Sequence, residues 1–384
     1  MNRFNISQGA AFWCGVFMLM SISAIAGGGK DDTKLTKNIT KSYAMTSRAE
    51  VDITNKYGKV VVSAWDKDSV KIVVDIIAYG KNDEAVDKLM NKVNVDFMKS
   101  GDYLSVETEM NRKGGSFGTV LSNIEGYSKS LLNKNKVTID YTVYLPSTAS
   151  LILENKFGDV FIGNFDGNID LDLSHGDLKA RGLKGDSKIF LSFGKGRINQ
   201  LKEGFLKLKG SEIEIDEGTK INVESSSSEL AFGNIKSLYI NSRNDKIRTG
   251  SLNVLKGTGD FTDIFVENVE SDLDLNLEYG EFFAERIGED FNTISLNSKS
   301  TDINLVLSPK SYFNANISGN EDRMIIPNSM LSLGKKDNSD AGYDFTLSGT
   351  VGYTRDKVGK VNIKAINADL IISIKEAEVF TKKN

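Results

Sequence analysis

The chain has 384 residues, a net charge of −4, a single histidine and a single cysteine. Its basic and acidic residues are interspersed, so it lacks the basic stripe with which nucleic-acid-binding proteins neutralise phosphates, and one histidine excludes a multi-histidine metal site. The 35 glycines, 3 prolines and 40% hydrophobic residues are typical of a folded chain that is rich in tight turns.

The first 26 residues have the pattern of a secretory signal peptide. Arg3 supplies a positive start, Ala10 to Ile22 is mostly apolar, and Ala24 and Ala26 are small residues spaced as at a cleavage site. An uncleaved membrane anchor is the alternative, but this stretch is short for a spanning helix and no later segment approaches one. We expect an exported protein, located in the periplasm, on the outer-envelope surface or outside the cell. Cleavage would remove Cys14, so the mature chain would have no disulfides.

Residues 27–145 are predicted to form a β-rich region with one helix. The helix is expected from Asp83 to Val93, because its apolar residues fall on one face and Asn82 is a suitable N-cap. The strand candidates are Val70 to Tyr79, Tyr103 to Glu109 and Val137 to Leu145. We expect the helix to pack on the longer strands.

A six-residue phrase then recurs nine times: a variable residue, a small or polar one, a charged one, usually an apolar one, any residue, and usually an apolar one. The copies begin at Phe157, His175, Phe193, Gly210, Ser227, Asn244, Phe261, Tyr279 and Ser300. Successive copies are therefore 17 or 18 residues apart, except for a last interval of 21. A fixed period of this length is the signature of stacked repeats, in which each unit buries its apolar face against its neighbours.

Each period contains two short apolar alternations separated by turns, which predicts two short strands per repeat. Apolar residues recur at equivalent positions in three sets: Ile213, Leu230, Ile247 and Ile264; Ile162, Ala180 and Ile198; and Phe165, Leu183 and Leu201. If repeats stack at the strand spacing of about 4.8 Å, each set becomes a continuous interior column. We therefore predict an all-β fold, a parallel two-faced β-solenoid of 17–18-residue turns, over residues 146–320.

Two partial copies of the phrase lie outside the array, at Tyr57 and at Asn367. We expect both to pair with the solenoid or to cap it, because terminal repeats must protect strand edges. Residues 321–384 would supply a loop and the closing strands of this cap. The polar, glycine-containing segments from Asn111 to Asn135 and from Gly334 to Gly342 are predicted to be mobile loops.

The segment from Tyr144 to Leu153, followed by Asn155 to Val160, resembles the "putative adhesin" family of unknown function. That family joins a Leu-Pro turn to an Asn-x-x-Gly-Asp-hydrophobic strand and continues as short β-repeats. The closing segment from Val361 to Ile374 is similar to its last strands, although Ala368 stands where the family usually has glycine. The resemblance covers about residues 45 to 375 and implies a secreted, envelope-associated β-solenoid.

The only histidine, His175, occupies the same position of the phrase as Phe157, Phe193, Phe261 and Tyr279. A flat ring in an aromatic stack at a turn explains a histidine there, so we predict a structural role. A Ser-His-Asp triad is then not expected.

The third position of the phrase is charged in every copy of the array: Asp159, Asp177, Lys195, Glu212, Glu229, Lys246, Asp263, Glu281 and Asp302. Because adjacent layers lie about 4.8 Å apart, like charges in succession would repel each other. Two acidic residues followed by one lysine, twice over, predicts a solvated column that neutralises itself. Asp263, Glu281 and Asp302 lack an intervening lysine and are the candidate ligands of a Ca²⁺ ion. We otherwise expect no cofactor.

Phe190, Tyr239 and Phe265 are predicted to alternate outward on the strands, and they are candidates for a binding face. Solenoids commonly use extended strand faces to bind partners, although scattered exposed aromatics are also normal.

These observations favour a noncatalytic, adhesin-like envelope protein whose solenoid face binds a cell-surface glycan or an envelope protein. The alternative is a periplasmic envelope scaffold or a stress-response or regulatory component. A carbohydrate-active enzyme is the third hypothesis, because any acidic surface can carry a carboxylate pair, but no catalytic cluster is identifiable. We expect no nucleic-acid partner, and no transmembrane segment after signal cleavage.

Overall fold

The structure, a computed structural model, describes residues 22–24, 33–110, 137–337, 343–354 and 356–375. The N-terminal elements are β1 (Ile22–Ala24), β2 (Thr33–Ala44), β3 (Glu50–Lys56), β4 (Val60–Trp65), β5 (Ser69–Gly80), α1 (Asp83–Met90), β6 (Val93–Ser100), β7 (Tyr103–Met110) and β8 (Val137–Pro146). The array contains β9 (Ser150–Lys156), β10 (Val160–Phe165), β11 (Ile169–Ser174), β12 (Leu178–Ser192), β13 (Lys195–Lys209), β14 (Glu212–Ser226), β15 (Glu229–Arg243), β16 (Lys246–Asp260), β17 (Asp263–Ile287) and β18 (Thr293–Leu307). The C-terminal strands are β19 (Phe313–Gly319), β20 (Met324–Ile325), β21 (Gly334–Asp337), β22 (Phe345–Val351), β23 (Gly359–Ile366) and β24 (Leu370–Ile374), with 3₁₀ turns at Glu321–Arg323 and Asn328–Met330.

The array is a parallel β-solenoid, as predicted. Each strand from β12 to β17 pairs in parallel with the strand one turn later. Ile213 lies opposite Leu230, Leu230 opposite Ile247 and Ile247 opposite Ile264, and all four side chains are buried. The other two predicted columns also align. Each buried aliphatic side chain stabilises the stack by roughly 1.5–3 kcal/mol, so the columns hold the layers together.

Both partial copies of the phrase form layers of the same stack. In β4, Val60 pairs in parallel with Val160, and in β24, Leu370 pairs in parallel with Ile303. The preceding arms pair as well, β3 with β9 and β23 with β18. The prediction that these copies pair with the solenoid is confirmed, and the nine copies of the array plus these two make eleven layers.

Further strands cover the N-terminal end of the stack: β8 and β7 pair in parallel with β4 and β3, and β5, β2 and β6 add antiparallel pairs beyond them. Beyond β4 lie β8, β5 and β2, and beyond β3 lie β7 and β6. The short β1, inside the expected signal peptide, pairs antiparallel with β2. These pairings satisfy the backbone groups that the first layer would otherwise expose.

The predicted helix forms and packs on β5 and β2, the longer strands. The Asn82 side chain accepts a hydrogen bond from the Ala85 backbone N–H at 2.9 Å, and Val86 is buried against the sheet. The helix ends at Met90, not Val93, because Val93 pairs with Met110 at the start of the β6–β7 hairpin. No helix among the described residues is long and apolar enough to span a membrane.

The C-terminal end is closed by strands from residues 313–351. β19 pairs with β23, β22 pairs antiparallel with β19, and β21 pairs antiparallel with β22. The prediction of a mobile loop from Gly334 to Gly342 is therefore wrong for Gly334–Asp337. This segment forms β21, because it pairs with β22. The rest of that loop, 338–342, and the loop predicted from Asn111 to Asn135 lie outside the described residues.

Candidate binding surface at the solenoid corner

The first residue of the phrase marks a corner at which the backbone adopts a left-handed conformation. Its φ lies between 51° and 67° in all eleven layers: Tyr57, Phe157, His175, Phe193, Gly210, Ser227, Asn244, Phe261, Tyr279, Ser300 and Asn367. We call this row the corner column. Ten of these residues are not glycine, although the left-handed conformation costs a residue with a Cβ roughly 1–2 kcal/mol.

The residue after the corner is glycine in the first four layers because the layers approach closely there. A Cβ on Gly158 would lie 1.9 Å from the backbone oxygen of Gly58, and one on Gly176 would lie 2.1 Å from that of Gly158. Side chains are therefore excluded from this position in the first layers. In the last layer Ala368 takes the same position and is buried. The corner side chain itself extends from the stack, which makes the corner column a surface feature.

Four rings form a continuous stack at the N-terminal end of the corner column. The ring centroids of Tyr57 and Phe157 are 5.5 Å apart, those of Phe157 and His175 are 5.0 Å apart, and those of His175 and Phe193 are 5.2 Å apart. The interplanar angles are 11°, 2° and 10°. The prediction that His175 belongs to an aromatic stack at a turn is confirmed. Each stacked pair stabilises the fold by about 0.5–1.5 kcal/mol, which offsets part of the backbone strain.

A second, shorter stack follows after three layers that carry small or polar corner residues. The rings of Phe261 and Tyr279 are 4.8 Å apart with an interplanar angle of 15°. The last ring of the first stack and both rings of the second remain exposed: Phe193 is 53%, Phe261 is 55% and Tyr279 is 41% accessible to solvent. The aromatic positions are visible in the sequence, but their exposure is not. Alternation along a strand does not predict which side chains are exposed at a left-handed corner.

The charged third position forms a column beside the corners. The Asp159 carboxylate accepts a hydrogen bond from the Asp177 backbone N–H at 2.9 Å, and Asp177 accepts one from the Lys195 N–H at 3.0 Å. The Lys195 ammonium is paired with Glu212 at 2.7 Å, which is the charge neutralisation that the spacing predicts. The hydrogen bond that Lys195 donates to Glu212 raises the pKa of Lys195.

The three candidate Ca²⁺ ligands lie in consecutive layers of this column. Glu281 is directly opposite Asp302, and Asp302 accepts a hydrogen bond from the Asp369 backbone N–H at 2.8 Å. Asp263 is one layer earlier and lies opposite Lys246. Within the described parts of the chain, no group of three or more His, Cys, Asp or Glu side chains is arranged to hold a metal ion. Ca²⁺ binding by Asp263, Glu281 and Asp302 stays a proposal.

The three aromatics predicted to form a binding face do not form one patch. Phe190 and Tyr239 lie in the second arm of their turns, three layers apart and in different columns, whereas Phe265 lies in the first arm. All three are half-buried. The rings of Phe190 and Phe265 also contact other aromatics, with Phe205 at 6.2 Å and Phe283 at 5.3 Å respectively. The structure therefore does not bring these residues together.

The corner also has a polar interior that the sequence did not reveal. Asp245, directly after the corner residue Asn244, is 3% exposed. Its carboxylate accepts hydrogen bonds from the Ser228 backbone N–H at 2.7 Å and from the Ser225 and Ser242 hydroxyls, each at 2.6 Å. These donors compensate for the burial of its charge and hold two adjacent layers in register.

Two carboxyl groups near the N-terminal end of the stack have raised pKa values. Burial raises the pKa of Asp172, and the neighbouring Glu154 carboxylate raises it further. Burial also raises the pKa of Glu107, with additional repulsion from Glu109 and Asp96. Raised carboxyl pKa values mean that ionisation destabilises the folded state here.

No protein-family model matches this chain, and no curated protein matches it. Several solved structures are similar to it. A putative cell adhesion protein from Clostridium sporogenes is 11% identical, with 88% of this chain and 100% of that chain covered and a TM-score of 0.18. A putative adhesin from Bacteroides fragilis is 11% identical, with 70% and 97% covered and a TM-score of 0.30. A putative lipid binding protein from Parabacteroides distasonis is 12% identical, with 69% and 95% covered and a TM-score of 0.32. The protein from Bacteroides fragilis carries the description of the family that the segment from Tyr144 to Leu153 resembles.

Proposed function

We propose that this protein is a noncatalytic, adhesin-like protein of the cell envelope. It is exported and uses the rigid surface of its solenoid to bind a surface partner, a glycan or a protein. The observation that carries this proposal is the exposure of Phe193, Phe261 and Tyr279 at corners where the backbone favours glycine.

The layers differ in the energetic cost of the residue at their corner. Gly210 occupies the same corner with a φ of 55°, so a layer forms without any side chain there. A ring at this position costs strain, and an exposed ring recovers little of that cost by burial. Binding of a partner would bury the ring and so offset the cost of the strained backbone. Exposed aromatic side chains with fixed orientation are the residues that contribute most to many binding interfaces.

The rigidity of the platform supports the same proposal. Eleven layers joined by parallel backbone pairing hold the corner residues at a fixed spacing. A surface that is already ordered loses little conformational entropy on binding. The corner column can therefore bind an extended partner without rearrangement.

Retention on cell envelopes tests the proposal. The purified protein is incubated with envelope preparations from cells that produce it, and a triple variant, Phe193→Ser, Phe261→Ser and Tyr279→Ser, is compared with the wild type. Serine is tolerated at this corner, as at Ser227 and Ser300. We expect the wild type to sediment with the envelope and the triple variant to remain in solution. Equal sedimentation of both, or of neither, contradicts the proposal.

Protease shaving of intact cells tests the location independently. Loss of the protein from intact cells is the result expected for a surface adhesin. Protection until the outer envelope is broken would favour the periplasmic scaffold instead.

A further inference from the structure

The Phe261–Tyr279 pair differs from the rest of the corner column in its surroundings. Acidic residues flank both rings, Asp260 and Asp263 beside Phe261, and Glu278 and Glu281 beside Tyr279. Parallel register places Asp260 opposite Glu278 in the next layer. We call the two rings and these four carboxylates the acidic aromatic platform.

Three of the platform's four carboxylates make no ion pair within the described structure. Glu278 is paired with the Lys299 ammonium at 2.7 Å. Asp260, Asp263 and Glu281 make no ion pair with any described residue, and Asp263 and Glu281 are exposed. Two exposed rings are thus bordered by three carboxylates without an ion pair, of which Asp260 lies opposite Arg243 and Asp263 opposite Lys246 in the preceding layer, while Glu281 lies opposite Asp302.

Phe193 provides an internal comparison. It has the same corner conformation and nearly the same exposure as Phe261. Its flanking residues, however, are Ser192 and Lys195, and Lys195 is paired with Glu212. The exposed corner ring is therefore without flanking carboxylates at Phe193 and has them at Phe261. The acidic surroundings belong to this platform and are not a requirement of the fold.

This combination is complementary to a guanidinium group. Aromatic ring faces attract cations, and carboxylates accept paired hydrogen bonds from the planar guanidinium. Arginine satisfies both at once, whereas the lysine ammonium is a strongly hydrated point charge that gains less from stacking. A neutral or acidic glycan would leave the carboxylates uncompensated. A calcium ion would gain nothing from the rings and prefers six to eight oxygen ligands.

We propose that the acidic aromatic platform binds arginine side chains of a basic segment in a protein partner. The inference rests on the proposed function, since it assigns partner chemistry to one part of the binding surface. The guanidinium group lies over the exposed ring of Phe261 or Tyr279 and donates hydrogen bonds to Asp263 and Glu281. On the other side of the corner, Asp260 and Glu278 offer a second set of carboxylates, so an extended segment with several arginines engages both sides.

Peptide binding to the purified protein tests this inference. The probe is a fluorescently labelled Arg-Gly repeat peptide, and Lys-Gly and Glu-Gly peptides of the same length serve as comparisons. We expect the wild type to bind the arginine peptide more tightly than the lysine peptide, and to bind the glutamate peptide not at all. The affinity should fall as salt is added, because these charges are exposed to solvent.

Three variants separate the contributions of rings and charges. Removing both rings, in Phe261→Ser with Tyr279→Ser, should weaken arginine-peptide binding roughly tenfold. Removing the charges, in Asp263→Asn with Glu281→Gln, should weaken it at least as much. The control Tyr353→Ser removes an exposed ring outside the corner column and should leave binding unchanged. Melting curves check that all variants fold.

Several outcomes would overturn the inference. Binding that survives loss of both rings would indicate unspecific attraction to acidic residues. Equal weakening by Tyr353→Ser would indicate that the peptide binds any exposed ring. A melting temperature raised by Ca²⁺ alone, and insensitive to ring removal, would assign Asp263 and Glu281 to a metal site. If the arginine peptide does not bind but the wild type still sediments with envelopes, the inference fails and the proposed function stands. If envelope retention fails as well, both are wrong.

Discussion

The carboxylate of Asp245 accepts a hydrogen bond from the Ser242 hydroxyl at 2.6 Å inside the solenoid, where both side chains are almost fully buried. The same carboxylate accepts a hydrogen bond from Ser225 one layer earlier, so a single charged group joins adjacent turns. Buried polar groups stabilise a structure when every donor and acceptor is satisfied, and they become costly when one partner is lost.

Replacing Asp245 should therefore destabilise the protein strongly. Asp245→Ala leaves the Ser225 and Ser242 hydroxyls and the Ser228 N–H without their acceptor, and we expect a loss of at least about 2 kcal/mol in the free energy of unfolding. Urea unfolding measures this value. The control Asp274→Ala removes an exposed carboxylate and should change it by less than about 0.5 kcal/mol. Similar values for the two variants would mean that the buried network does not contribute.

The close approach of layers at Gly158 makes a second prediction. Gly158→Ala would place a Cβ 1.9 Å from the Gly58 backbone oxygen, so the two layers must separate. We expect a loss of roughly 3 kcal/mol or more, the upper range for overpacking. Gly163→Ala is the matched control, because its Cβ would meet only the Val62 oxygen at 3.8 Å. Thermal unfolding of both variants should show a much lower melting temperature for the first one alone.

The left-handed corner predicts opposite effects of two substitutions at Ser227. Ser227→Gly removes the steric cost of a positive φ, partly offset by the greater freedom of glycine in the unfolded chain, so stability should be unchanged or rise by up to about 1 kcal/mol. Ser227→Val introduces a β-branched side chain at φ 52° and should destabilise the fold. Denaturant titration measures the free energy of unfolding of the wild type and the two variants. A valine variant as stable as the glycine variant would contradict the strain argument.

The raised pKa of Asp172 predicts a pH-dependent effect. In the window from its ordinary pKa up to its raised folded value, the folded state binds more protons than the unfolded state, so stability falls as pH rises. Above that window the ionised carboxylate destabilises the fold by a constant amount. Asp172→Asn should therefore raise the melting temperature at neutral pH, and the difference should shrink as the pH falls below the ordinary pKa.

Asp274→Asn serves as the control for the pH series, because Asp274 is exposed. Melting curves across acidic and neutral pH compare the variants with the wild type. A difference between Asp172→Asn and the wild type that is the same at every pH would rule out titration of Asp172 as its cause.

The layers could be predicted from the sequence because hydrophobic columns repeat visibly. Ile213, Leu230, Ile247 and Ile264 are spaced by one period, and a buried column must be apolar in each layer. The corner conformation could not be predicted in this way. Its residues share no chemical type, and glycine, the usual sign of a positive φ, occurs there once in the eleven layers.

The exposure of the corner rings could not be predicted from the sequence for a related reason. Phe190, Tyr239 and Phe265 alternate outward along their strands, but outward side chains are half covered by their neighbours in the adjacent layers. The corner rings escape this covering when the next layer carries a small residue, as at Gly210 after Phe193. Asp245 was missed because a charged residue in a turn reads as exposed, and its burial depends on serines that are distant in sequence.

The two outlying layers have a consequence for the order of folding. Neighbouring layers of the array are 17 to 21 residues apart, whereas Asn55 meets Asn155 across 100 residues, and Asp369 meets Asp302 across 67. Closing longer loops costs more chain entropy, and contacts between distant segments form more slowly. The array is therefore expected to assemble from its own neighbouring turns, with the end layers docking afterwards. During synthesis the growing stack keeps an unpaired strand edge until β24 has emerged. The nascent chain is therefore expected to be most prone to aggregation during that interval.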